Sequence, residues 1–75
     1  MDIVDVVVHV AQPLAAVEQR WLEEHLRQVE GVIAPRFNQP RSHLLLVAYN
    51  PAVADSRQLL RSVSGEGFDA RLVGM

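Results

Sequence analysis

The sequence predicts an α+β sandwich, a single antiparallel sheet of four strands with two helices on one face. Three observations predict it. The chain has 75 residues, enough for one domain. Its apolar residues alternate between a period of two and a period of 3.6, in the order strand, helix, strand, strand, helix, strand. Right-handed crossovers then place the helix of each strand–helix–strand unit on the same side of the sheet.

Ile3 to Val10 is rich in β-branched residues and reads as the first strand, with Val4, Val6, Val8 and Val10 on one face and Asp5, Val7 and His9 on the other. Pro13 suits a first helical turn, where its missing N–H is not needed. From Leu14 to Glu30 the apolar spacing is helical. Leu14, Ala15, Val17, Trp21, Leu22, Leu26 and Val29 fall in one arc, opposite Arg20, Glu23, Glu24 and Arg27. Gly31 is the stop signal. Val32 to Phe37 forms the second strand, and Pro35, which cannot donate to a ladder, places it at a sheet edge. Residues 38–42 (Asn-Gln-Pro-Arg-Ser) make a turn by composition.

His43 to Tyr49 is apolar on both faces and therefore central, and Asn50-Pro51 ends it. Asp55 with Gln58 three residues on marks the start of a second helix, buried through Leu59, Leu60 and Val63. Gly65 and Gly67 close that helix, and Phe68 to Val73 is the last strand. The simplest arrangement of these six elements is the ferredoxin-like split βαβ sandwich with strand order 4-1-3-2.

Composition narrows the chemistry. There is no cysteine, which excludes disulfides, thiolate metal sites, iron–sulfur clusters and a cysteine nucleophile. A formal charge of −2 is wrong for a nucleic-acid surface. The longest apolar run, Leu44 to Ala48, is far short of the ~20 residues of a membrane span, and no basic-then-apolar leader opens the chain. The expectation is one cytoplasmic domain over residues 1–75, with Met1 and the short C-terminal tail read as the ends of a complete chain. A core this small hides only about 60% of the unfolded chain's surface, so the stability margin is narrow.

The order Val8-x-Val10, Leu22-x-x-x-Leu26-x-x-Val29-x-Gly31-Val32, Val47-x-Tyr49-Asn50-Pro51 and Leu59-Leu60-x-x-Val63-x-x-x-Gly67-Phe68-x-Ala70 resembles the heavy-metal-associated domain, the family of copper chaperones and of the metal-binding domains of metal-pumping ATPases. The resemblance runs almost end to end. It implies a metal loop before the first helix carrying Met-x-Cys-x-x-Cys, two thiolates that clamp Cu(I) or Zn(II). Counted back from Gly31, that motif falls on Pro13 to Glu18, with Ala15 and Glu18 in the cysteine positions. A methyl group and one carboxylate cannot replace two soft thiolates. The resemblance therefore implies the fold without the family's copper-delivery chemistry.

Glu18 is the one carboxylate within the apolar arc. It reads as a first-turn acid favoured by the helix dipole, with a hard-metal ligand as the rival reading. His9 and His43 both belong near the former metal loop, but their strand parities place them on opposite faces of the sheet. Glu18 with His43 is then the only plausible ligand pair, short of the tetrahedral four. The expectation is no cofactor, with Glu18, His43 and His9 as the weak metal candidates. His25 reads as a half-buried, satisfied side chain. Trp21 and Phe68 read as packing rather than as a ligand cap. The arginines are spread along the chain, and Arg41, on the turn beside the former metal loop, is the best placed to touch a partner.

The outer sheet face carries the strongest functional signal. Val7, Leu44, Leu46, Ala48 and Val73 point away from the helices, where a solvated face should alternate with polar residues. Covering a leucine-sized side chain contributes about 1.5–3 kcal/mol. This face is expected to be covered by a second copy or another protein, with Asp5, His9 and Arg71 as its polar rim.

The reading is a non-enzymatic interaction or regulatory module linked, through the resemblance, to metal transport. The alternatives are a metal carrier using Glu18 and His43, and a dimeric small-molecule-sensing domain. An acylphosphatase-like enzyme shares the topology but needs a phosphate-cradling loop with arginine after the first strand. That stretch here is Ala11-Gln12-Pro13-Leu14.

Overall fold

The computed structural model describes residues 2–38 and 43–73, and its elements follow the predicted order. β1 (Val4–Val10) leads to α1 (Ala16–Arg27), β2 (Val32–Phe37), β3 (Leu44–Tyr49), α2 (Ser56–Ser64) and β4 (Ala70–Val73). All strand pairs are antiparallel, in the spatial order β2-β3-β1-β4, which is the predicted order read from the other edge. The proline-bearing β2 is an edge strand. Its Pro35 lies opposite Val47, and the pairing slips by one residue between Val32 and Ala34. Most of the predicted turn, including Arg41 and Ser42, lies outside the described residues.

The period-two pattern of β1 becomes burial from Val6 onward, while Val4, expected on the same face, is exposed. Val6, Val8 and Val10 are buried, as are Leu45, Val47 and Tyr49 of β3, which they oppose or adjoin. The helices close over this layer with Leu22 and Leu26 from α1 and Leu59 and Val63 from α2. Leu14 and Ala54, each just ahead of a helix, complete the core. At about 1.5–3 kcal/mol for each fully buried aliphatic side chain, this cluster supplies most of the driving force. Asp55 caps α2 by accepting from the Gln58 N–H at 2.8 Å.

The first helix departs from its predicted face. It begins at Ala16, so Pro13 and Leu14 precede it and Ala15 is its N-cap. Its buried residues are Gln19, Leu22 and Leu26. Val17 and Trp21, placed in the core by the apolar arc, are 67% and 49% exposed. The arc was too broad to choose its own centre. Gln19, which the arc did not include, is buried between the two faces instead. Glu23, assigned to the solvated side, is half-buried and accepts from the Phe37 N–H of β2 at 2.9 Å.

Candidate functional site

The end of the molecule where β1 leaves the sheet gathers the residues singled out for chemistry. The loop from Ala11 to Ala15 is tied to the segment before β4. The Ala11 N–H donates to the Asp69 carbonyl at 2.8 Å. The Gln12 amide donates to the Gly67 carbonyl at 3.2 Å and accepts from the Asp69 N–H at 2.7 Å. No local pattern announced this clasp, because its partners lie 55 and 57 residues apart. Within the loop, the Glu18 carboxylate accepts from the Ala15 N–H at 2.9 Å. It thereby satisfies a donor at the helix start, where a negative charge is also favoured by the dipole. Glu18 closes the turn, and Ala15 brings only a methyl group to it.

The histidines differ from the parity argument. The assigned pairing opens with His9 opposite Leu44, and His43 stands one residue ahead of β3, its carbonyl accepting from the Val10 N–H at 2.8 Å. Its ring lies alongside that of His9, with centroids 5.7 Å apart and planes 17° from parallel. Its Nδ1 is 2.7 Å from the Val10 carbonyl oxygen. The structure thus brings together the two imidazoles that strand parity separates. His43 pairs with His9 rather than with Glu18. Among the described residues no group of three histidines, cysteines or carboxylates could hold a metal ion. Beside His9, an open cavity of about 260 Å³ is lined by His9, Ala11, Asp69 and Arg71.

His25 is half-buried, with Nε2 3.1 Å from the Glu66 carboxylate. It stacks on Trp21 at 5.1 Å, and Trp21 in turn leans on Phe68 at 6.4 Å. These rings seal the rim between α1 and the end of α2. Phe68 packs against the core as expected, whereas Trp21 is a half-exposed cover rather than core.

On the far side of the sheet the cross-strand registers set out the apolar face. Val7 lies between Leu46 and Val73, and Leu46 is opposite Arg36 on its other side. Ala48 lies between Asp5 and Ala34, while His9 lies between Leu44 and Arg71. Leu44 and Val73 are exposed, and Val7, Leu46 and Ala48 are half-buried. Aliphatic side chains therefore occupy the middle of the face, with Asp5, His9, Arg36 and Arg71 around them. Arg36 was not anticipated in that rim. Its parity with Leu46 depends on the irregular pairing between Val32 and Ala34. No helix among the described residues is long and apolar enough to cross a membrane.

No family model and no curated protein matches the sequence. Solved structures do match the fold. A copper-binding domain from HMA7, a P-type ATPase, superposes with a TM-score of 0.84 at 18% identity over 93% of each chain. Oxidized MerP from Ralstonia metallidurans gives 0.84 at 14% identity, over 96% of this chain and 99% of its own. The N-terminal domain of a potential copper-translocating P-type ATPase from Bacillus subtilis, solved in its Cu(I)-loaded state, gives 0.79 at 24% identity, over 91% and 84%. At these identities the likeness is one of architecture, and it agrees with the βαββαβ fold read from the residues themselves. The fold of this chain is that of the heavy-metal-associated domains.

Proposed function

We propose that this chain is a non-enzymatic interaction module of metal homeostasis, built on a heavy-metal-associated scaffold whose metal loop has become a structural turn. One observation carries the reading: Ala15 and Glu18 stand where the resemblance expects two cysteines, and the Glu18 carboxylate is spent on the Ala15 N–H. The loop keeps the backbone frame, clasped by Gln12, without a soft ligand for Cu(I). What is left to offer a partner is the aliphatic sheet face with its charged rim. Contiguous exposed apolar surface of this kind marks interaction sites on small domains.

Competition for Cu(I) against a chromogenic chelator tests the reading. The natural sequence should leave the metal with the chelator. The double variant Ala15→Cys, Glu18→Cys should withdraw one equivalent, because the frame would again present two thiolates. Cu(I) withdrawn by the natural sequence overturns the loss of copper chemistry. A folded double variant unable to compete overturns the equation of this turn with the family's metal loop.

A further inference from the structure

We propose that the hollow beside His9 is a binding site for a small zwitterion, a free α-amino acid, whose carboxylate is held by Arg71 and whose ammonium group is held by Asp69. The inference goes beyond the docking reading and does not depend on it, since it concerns neither the former thiolate positions nor the aliphatic middle of the sheet face.

The hollow follows from the pairing of β1 with β4. His9 is opposite Arg71, and two residues farther along β1 the Ala11 N–H donates to the Asp69 carbonyl at 2.8 Å. These two rows share the outer side of the sheet by the period of the strands. Three of the four side chains project from it and the fourth is only a methyl group, so a space opens above Ala11. That space is the cavity of about 260 Å³ lined by all four residues. One wall is the half-buried His9 ring, backed by the His43 ring stacked against it at 5.7 Å. Small-molecule pockets run upward from about 300 Å³, so a volume just below that suits a ligand of amino-acid size and excludes a nucleotide.

The charges select the ligand. Asp69 and Arg71 line the same cavity, yet no ion pair joins them among the described residues, and neither charged group has another side-chain partner there. A simple anion would be opposed by Asp69, and a simple cation by Arg71. A molecule carrying both charges a few bonds apart answers both at once. Two residues of extended chain span about 6.6 Å, which leaves room for an ammonium–carboxylate unit between the two side chains. The guanidinium fork matches a carboxylate in bidentate geometry, and the Asp69 oxygens accept from an ammonium. No hydrogen bond among the described residues occupies the His9 nitrogens, so the ring can donate to the same carboxylate. The next row on this face pairs Val7 with Val73, which favours a ligand with an aliphatic side chain. Asp69 and Arg71 are exposed, so the bound molecule exchanges readily.

Amide resonances of the full chain, followed as L-leucine is added, test the assignment. Leucine should shift those of His9, Ala11, Asp69 and Arg71 saturably, with a Kd on the order of a millimolar. N-acetyl-L-leucine, which lacks the ammonium group, and L-leucinamide, which lacks the carboxylate, should each bind about fivefold more weakly, the loss of one exposed charge contact. This comparison needs no variant. Arg71→Gln should remove the preference for leucine over leucinamide, and Asp69→Asn the preference over the N-acetyl compound. Ala11→Leu, which fills the hollow, should abolish binding. No saturable shift with leucine, equal binding of the three compounds, or binding that survives Ala11→Leu overturns the proposal.

Discussion

Gly31 holds a backbone dihedral φ of +95°, and a Cβ built there would meet the Ala54 Cβ at 2.9 Å and the Val53 Cβ at 3.0 Å. Its carbonyl also accepts from the Asn50 N–H at 2.8 Å. Gly67 has a similar φ of +92°, yet nothing lies within 4 Å of its missing Cβ. The two glycines separate conformational cost from crowding. Gly67→Ala should cost about 1–2 kcal/mol, the penalty of a left-handed alanine. Gly31→Ala adds overpacking of about 1–3 kcal/mol against a turn that the core anchors through buried Ala54. Thermal melts should show Gly31→Ala lowering Tm clearly more than Gly67→Ala, and equal losses would refute the role of crowding at Gly31. Gly31 was legible in the sequence as a helix stop. Its closeness to residues 53 and 54 was not, because that contact exists only once β2 and β3 pair. The meeting of His9 and His43 was hidden as well, because the His43 ring, one residue ahead of β3, is drawn to the Val10 carbonyl, a contact that strand parity does not carry.

At the scale of the element, α1 shows how a correct pattern can yield a wrong face. Its existence and its end near Gly31 were plain from periodicity. The apolar arc, however, extended to Val17 and Trp21, and the sheet beneath selected a face of Gln19, Leu22 and Leu26 instead. A wide arc gives a helix but not its rotation about its own axis. The same helix starts with half a capping box. Glu18 bonds back to the N-cap N–H, while Ala15 has no side-chain acceptor to return the favour. Ala15→Ser should complete the box and stabilise the domain by about 0.5–2 kcal/mol. Glu18→Ala should destabilise it by about 1 kcal/mol, through the lost bond and the lost dipole interaction. Urea unfolding midpoints check both signs, and an unchanged midpoint for both variants would show that this turn does not need the carboxylate.

For the whole molecule, strand spacing sets the size of the exposed face. Four strands at about 4.8 Å and some six residues at about 3.3 Å give a footprint of roughly 400 Å². Two such faces in contact bury roughly 800 Å², below the 1,200–2,000 Å² of stable complexes. Pairing of two copies is therefore expected to be weak, with sedimentation velocity showing association only above ~100 µM. Leu46→Glu should abolish it while shifting Tm little, since Leu46 is half-buried on the side away from the helices. A tight dimer at low concentration, or association unaffected by Leu46→Glu, would show that another surface is used. The apolar character of this face was legible from β1 and β3 alone. The inclusion of Arg36 was not, because the pairing slip in β2 sets which of its residues share that face.

The Phe37 N–H reaches the Glu23 carboxylate rather than a strand, so it points outward from the open margin of β2. Pro35, two residues earlier, shares that direction by the period of the strand and has no N–H to offer. One side-chain cap and one imino acid thus leave this margin without two of the donors that an incoming strand would seek. Lateral growth into ribbons or fibres is discouraged there, and whatever meets this protein is steered to approach it broadside.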